Sequence, residues 1–240
     1  MKLRFLHRAW KARLRDQRQE IALAFALIRP GDTVVDAGAN KGSYTYWLRK
    51  AVGPGGKALA FEPQPKLAQY LEEARARFNW ANVTVREVAL SDTGGTGRLH
   101  VPGGGVSPGA SLEAVGGDTF ECRVATLDDE LAGRPVTFLK IDVEGHELAL
   151  FRGAEQTLRA CQPALLFECE ARHLTKHTMQ EVFDFLTNRG YDGYLLRRRD
   201  LLPIAEFRPE THQKMNGPQF WDAQDYYNNF LFCSARHPLP

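Results

Sequence analysis

The segment "VVDAGANKGSYTYWL", residues 34–48, constrains the fold of this 240-residue chain more than any other stretch. Val34 and Val35 favour an extended backbone, Gly38 and Gly42 permit positive φ or close approach, and apolar residues return at helical spacing after Gly42. A strand, a tight loop and a helix in that order open a βαβ unit. Ligands of such units sit beyond the carboxyl ends of the strands.

The loop reads D-x-G-x-x-x-G from Asp36 to Gly42. A dinucleotide fingerprint reads G-x-G-x-x-G instead, so that backbone and helix N-terminus approach a pyrophosphate. A carboxylate at the strand tip repels phosphate and suits a cation. S-Adenosylmethionine carries an ammonium and a sulfonium and no phosphate, so Asp36 favours it over a nicotinamide cofactor. The next apolar run, Ala58 to Phe61, ends in Glu62 and then Pro63, which stops a strand. An acid there accepts both hydrogen bonds of an adenosine ribose. Both cofactors need that contact, so Glu62 supports an adenosine ligand without choosing between them. The bland alternatives are a helix N-cap for Asp36 and a solvated strand end for Glu62.

Strand and helix signals alternate along the chain, which predicts a largely parallel sheet covered on both faces. "PKLAQYLEEARARF" reads as a helix and "NVTVREVALSD" as a third strand ending near Ser91 and Asp92. A glycine-dense connection, residues 93–117, then breaks the alternation, with "RLHV" as one extra strand; it is a lid, a binding loop or a plain insertion. "TFECRVATLDDEL" predicts a strand and a short helix capped by Thr126. In "VTFLKIDVEGHELALFRGA", Phe138, Leu139, Ile141 and Val143 form the near-continuous apolar run of a central parallel strand. Asp142, Glu144 and His146 cluster at its tip, where the ligand crevice is expected. They are the candidate catalytic residues. "PALLFECE" is the fifth strand with Glu168 and Glu170 near its end, "TMQEVFDFLTNRG" a helix stopped by Gly190, and "YDGYLL" with "NNFLFCSA" a closing strand pair. The long segment between the closing strands offers Trp221, Tyr226 and Tyr227 to an acceptor pocket or to cover the sheet, and Arg197, Arg198 and Arg199 to an anion or to solvent.

Lys2, Arg4, Arg8, Lys11, Arg13, Arg15 and Arg18 crowd the first residues, followed by "IALAFALI". This apolar stretch is short, late and lacks a small-residue cleavage site, so it reads as helix, packing by Ile21, Ala24, Phe25 and Ile28, and not as a signal peptide. The division expected is a basic helical extension over residues 1–29 and a single α/β domain over 30–240. A net charge of +2 does not by itself imply a nucleic-acid partner, and no apolar run reaches transmembrane length. Peripheral contact of the basic face with a membrane stays open. Cys122, Cys161, Cys169 and Cys233 are dispersed without a C-x-x-C pair, as in a reduced cytoplasmic protein. Asp142, Glu144 and Glu168 are hard oxygen ligands of the kind magnesium takes, yet strand-tip carboxylates more often bind ligand or backbone, so no metal is assigned.

Taken in order, "VVDAGANKGSYTYWL", "FEPQP", "VALSD", "ATLDDEL", "FLKIDVEGHELALFRGA" and "PALLFECE" resemble the FkbM-type S-adenosylmethionine-dependent methyltransferases over about residues 30 to 170. The resemblance implies a class I methyltransferase fold, a Rossmann-like three-layer sandwich whose seven-stranded mixed sheet has its last strand antiparallel. It also implies O-methylation of a sugar, a glycan or a secondary metabolite, so the partner expected is a small-molecule or glycan acceptor with a free hydroxyl. Carried over, Asp36, Gly38, Asn40 and Gly42 match the cofactor loop, Glu62 the ribose acid, Ser91 and Asp92 the loop beside the adenine, and Asp142 and Glu144 the signature strand tip. With their neighbours Ala39, Ser43 and Gln64, these make the candidate cofactor set, in which Asp142 is shared with the catalytic one. Relatives vary at the position of His146, whose helix-start location keeps the imidazole neutral and able to accept a proton. An RNA-modifying enzyme or a non-catalytic S-adenosylmethionine-binding protein on the same fold are the alternatives.

Overall fold

The computed structural model describes residues 2–103, 105–113, 116–198, 200–217 and 219–239. The apolar runs around Val34, Ala58, Val83, Phe138 and Ala164 become strands β1 (Thr33–Ala37), β2 (Lys57–Phe61), β3 (Val83–Arg86), β7 (Phe138–Ile141) and β8 (Ala164–Glu168), all mutually parallel. Strand β11 (Asn229–Ser234) enters antiparallel between β8 and β9 (Tyr191–Arg197). These seven strands are the mixed sheet that the sequence leads one to expect. An eighth, β10 (Asp200–Pro203), hairpins onto β9 at the edge, giving the order β10-β9-β11-β8-β7-β1-β2-β3.

Two expectations change in detail. The stretch read as one third strand divides: β3 ends at Arg86, and Ala89–Leu90 forms β4 in a separate three-stranded sheet with β5 (Gly95–Val101) and β6 (Asp118–Ala125). The run "TFECRV" therefore pairs with the glycine-rich connection and not with the main sheet. Phe25, expected in a core, is 37% exposed and packs its ring edge on Trp47.

Side-chain alternation sends Val35, Leu59, Leu139 and Leu165 to one face and Val34, Ala58, Phe138 and Leu166 to the other. The first face is covered by α5 (Leu127–Leu131), α6 (Glu147–Arg152), α7 (Glu155–Cys161) and α8 (Met179–Thr187). Thr126 caps α5 by accepting from the Asp129 N–H, and a Thr178–Glu181 capping box starts α8. The second face is covered by α1 (Lys2–Lys11), α2 (Arg18–Leu27) and α3 (Ser43–Ala51), with α4 (Pro65–Arg77) beside them. Phe5 of α1 is 1% exposed among Tyr46, Tyr70, Phe78 and Trp80, a burial that contributes roughly 2 kcal/mol. Trp47 Nε1 donates to Ala9 O at 2.8 Å, which ties the first helix to the third. The basic N-terminal helices thus share the core of the sheet's second layer. No described helix is long and apolar enough to cross a membrane.

Candidate active site at the carboxyl ends of the central strands

Beyond the tips of β1, β2 and β7 lies a cleft of about 660 Å³ including its open mouth, at the place the βαβ argument requires. Its floor depends on glycine. Gly38 has φ +77°, and a Cβ there would lie 1.8 Å from Asp142 O, so only glycine lets the first and fourth parallel strand ends approach this closely. Asn40 follows in the left-handed region at φ 48°, a conformation asparagine tolerates.

That backbone path aims amide groups at Glu62. The Asn40 N–H donates to Glu62 Oε2 at 2.7 Å and the Gln64 N–H to Oε1 at 2.9 Å. Each carboxylate oxygen keeps a second lone pair for a ligand donor. Burial pushes the Glu62 carboxyl up to about 7 even though both amides favour its charged form. The Gln64 side chain pairs with the backbone of Ser107, donating to its carbonyl at 2.9 Å and accepting from its N–H at 3.1 Å. Gln64 therefore holds the glycine-rich connection against the cleft. Pro108, Ala110, Ser111 and Leu112 of that connection line the cleft together with Phe61, Val88 and Leu90.

Asp36 stands behind this wall. It is 2% exposed, does not line the cleft, and accepts from Thr45 Oγ1 at 2.5 Å, so its side chain is held by α3. Burial raises its pKa. Asp142 and Glu144 do line the cleft, beside Gly38 and Asn40. The depth of its site and the neighbouring Glu144 raise Asp142 to about 6, against the opposing pull of Lys140. Glu144, at φ 51°, accepts from His173 Nδ1 at 2.8 Å, and its carbonyl accepts from Ser111 Oγ at 2.6 Å.

His146 lines the cleft with both ring nitrogens engaged. Nδ1 meets Glu113 Oε1 and Nε2 meets Ser91 Oγ, each at 2.8 Å. The bond to His146, with Lys176 2.9 Å from the other oxygen, holds the Glu113 carboxyl at about 2. An ionised Glu113 only accepts, so Nδ1 carries the proton. The ring is a strut joining the glycine-rich connection to the end of β4, and it has no nitrogen free for an acceptor proton.

Of the other candidates, Ala39, Gly42, Ser43, Ser91 and Asp92 lie outside the cleft lining. A Cβ at Gly42 would meet Leu71 at 2.5 Å, so that glycine serves packing. Glu168 accepts from Asn228 Nδ2 at 2.7 Å, and Glu170 accepts from Arg172 and from the Tyr226 hydroxyl. Trp221 is exposed under the Arg172 guanidinium. Arg199 lies outside the described residues. Among the described residues no group of three or more His, Cys, Asp or Glu side chains is placed to hold a metal ion, and the four cysteines are unbridged.

Three participants escape a reading by motif. Lys140 is 1% exposed, donates to Ile141 O at 3.0 Å, lies 3.9 Å from Asp142 Oδ2 and 4.8 Å from the Tyr44 ring centroid. It pairs in register with Asp36, and its charge offsets the burial of Asp36, Asp142 and Glu168. A lysine inside the apolar run "FLKI" is the signal that marks it. Glu113 and Thr45 carry no such signal.

The donor set fits S-adenosylmethionine. Glu62 would take the ribose hydroxyls, Phe61, Val88, Leu90 and Leu112 offer apolar surface to a purine, and Asp142 is a carboxylate for the charged end.

Comparisons with known proteins bear on the fold and the family. The chain resembles, at 43% identity over 56 residues, the ribosomal RNA large subunit methyltransferase E of Nitrosomonas eutropha, covering 23% of this chain and 27% of that protein. Its fold is similar to that of an FkbM methyltransferase from Methylobacillus flagellatus, with a TM-score of 0.56, 16% identity, and coverage of 88% of this chain and 50% of that one. A SAM-dependent methyltransferase from Aquifex aeolicus matches with a TM-score of 0.50 and 16% identity over 93% of this chain and 91% of its own. The chain thus spans half the length of the Methylobacillus protein and about a quarter of the ribosomal RNA enzyme. A family model described as the methyltransferase FkbM domain matches residues 36–192, from the acid at the tip of β1 to the start of β9. The chain belongs to the methyltransferase FkbM domain family, and membership implies S-adenosylmethionine as its cofactor.

Proposed function

We propose that the chain is an S-adenosylmethionine-dependent O-methyltransferase whose acceptor is a hydroxyl of a sugar, glycan or secondary metabolite. The observation that carries the reading is the cleft itself. Glu62 is presented on two backbone amides at one end and Asp142 stands at the other, beside a second carboxylate, Glu168, on the next strand. When bound, the cofactor supplies an activated methyl group, whose bond to sulfur breaks as one to the acceptor oxygen forms, the electron pair staying on sulfur. Holding that oxygen in line provides much of the acceleration.

Asp142 is the group proposed to receive the hydroxyl proton. With a pKa near 6 it is ionised at neutral pH yet basic enough to accept. Lys140 stabilises the ionised form, Glu144 orients donors of the acceptor, and His146 positions Ser91 and the glycine-rich connection. Asp36 acts at one remove, fixing the loop through Thr45.

The test is methyl transfer from radiolabelled S-adenosylmethionine to a panel of hydroxylated acceptors. Asp142→Asn is expected to lose turnover even at saturating S-adenosylmethionine, and in the wild type the methyl of the product is expected on oxygen. A methyl found on nitrogen or carbon, or full turnover by Asp142→Asn, would overturn it. The short match to a ribosomal RNA methyltransferase supports a second reading, RNA methylation, which the same assay separates by including an RNA acceptor.

A further inference from the structure

Two basic stretches far apart in the chain meet on one cavity. Arg15 and Arg18, from the crowded start of the chain, and Arg198, from the arginine run, line a cavity of about 690 Å³ including its open mouth. Its lining is completed by the residues that lead into β11, Tyr226 to Asn229. Sheet register puts that wall next to the site already described. Ile141 pairs with Phe167, Phe167 pairs with Phe230, and Glu168 stands opposite Asn229, so Asp142, Glu168 and Asn229 occupy successive strand ends. Neighbouring strands lie about 4.8 Å apart, so the wall is about 10 Å from Asp142. Side chains join the two places directly, since Asn228 donates to Glu168 at 2.7 Å and Tyr226 donates to Glu170. Asp142 thus lines the cofactor cleft, while Glu168 and Glu170 at the end of the next strand are bonded to the cavity wall.

The charges in the cavity are unevenly matched. Asp16 is paired with Arg15 at 2.7 Å and with Lys11 at 3.3 Å. Glu20, also on the wall, is half-buried on α2. Arg18 and Arg198 have no ion-pair partner among the described residues. A guanidinium fork matches carboxylate and phosphate oxygens, and a concave space of this size suits a small molecule better than a nucleic-acid backbone, which needs an extended basic face.

Resting on the O-methyltransferase reading, we infer that this cavity seats the acceptor, and that the acceptor is a small hydroxylated molecule carrying a carboxylate or a phosphate. Arg18 and Arg198 hold the anion. The rings of Tyr226 and Tyr227 and the amides of Asn228 and Asn229 offer stacking and hydrogen bonds to the hydroxylated body, one hydroxyl of which faces Asp142 and Glu168.

The test is a set of equilibrium titrations with inorganic phosphate, glucuronate and glucose on the wild type, Arg18→Ala/Arg198→Ala and Arg18→Lys/Arg198→Lys, with S-adenosylhomocysteine titrated in parallel. At least one anion is expected to bind the wild type about tenfold tighter than glucose, to lose about tenfold in the alanine variant and to recover in part in the lysine variant. The phosphate and glucuronate arms tell the two anion sources apart. S-Adenosylhomocysteine affinity, read at the other cleft, shows that each variant is folded. Anions that bind no tighter than glucose, or equally well to the alanine variant, overturn the inference, as does an RNA oligonucleotide whose binding depends on the two arginines while neither anion competes. A wild type that takes the anion but not S-adenosylhomocysteine overturns the methyltransferase reading, and the acceptor role with it.

Discussion

Glu62 makes the proposed adenosine contact measurable before any acceptor is known. The carboxylate is 2% exposed, and burial raises its pKa to about 7 despite two amide donors. Only the ionised form can accept from both hydroxyls of a ribose while keeping both backbone bonds. Ligand binding then competes with a proton. With a pKa near 7, the ionised fraction falls from about nine tenths at pH 8 to about one tenth at pH 6, so affinity drops about tenfold, roughly 1.4 kcal/mol. Adenosine is the probe to use, because it lacks the amino-acid tail that would reach Asp142, the group that titrates near 6. Calorimetric titration of adenosine at pH 6, 7 and 8 should show the tenfold slope in the wild type. Glu62→Gln, which cannot ionise, should bind weakly with no slope. A flat profile in the wild type, or an unchanged slope in Glu62→Gln, would refute the assignment of Glu62 as the ribose acid.

Other consequences follow from particular contacts. Gly38→Ala places a methyl group on the Asp142 carbonyl at a φ of +77°, and is expected to cost at least about 3 kcal/mol in urea unfolding or to abolish cofactor binding. Lys140→Met leaves Asp36 and Asp142 without their buried countercharge, so a loss of about 3 kcal/mol is expected, smaller at acid pH where the carboxyls are protonated. The pH dependence of stability has two signs: Glu62 and Glu147, both raised to about 7, contribute stability that is complete below about 4.5 and lost as pH rises through 7. Glu113 and Glu170, lowered to about 2, contribute stability present above about 4.5 and lost as pH falls toward 2. Urea midpoints measured from pH 3 to 9 should therefore peak between the two limbs, near pH 4.5, and a midpoint that rises steadily from pH 4.5 to 7 would contradict the burial of Glu62 and Glu147.

What the sequence made legible was local and periodic. The β-branched run before Asp36, the apolar run before Glu62 and the run "FLKI" carry their own strand signals, and their order along the chain suffices to place three strand ends side by side. Capping residues such as Thr126 and Thr178 are equally local. Less legible was whatever depends on distant pairing. The short run at Ala89 and Leu90 joins the small sheet because β6 pairs there, a fact no window around it contains. Asp36 shows the same limit within the site: its position at a strand tip is plain, but its occupation by Thr45 is decided by the helix that follows. Glu113 reaches His146 across 33 residues of chain from a connection with no periodicity at all. The arginines of the second cavity stand at opposite ends of the sequence and become neighbours only because α2 packs beside β9 and β11.

The cleft above β1, β2 and β7 is proposed to bind S-adenosylmethionine. Parallel calorimetric titrations of the wild-type protein with S-adenosylmethionine, S-adenosylhomocysteine and NAD test it most directly. Saturable binding of the first two at one site per chain is expected and none of NAD, since the carboxylates at the cleft repel a pyrophosphate. Binding of NAD alone, or of none of the three, would contradict it.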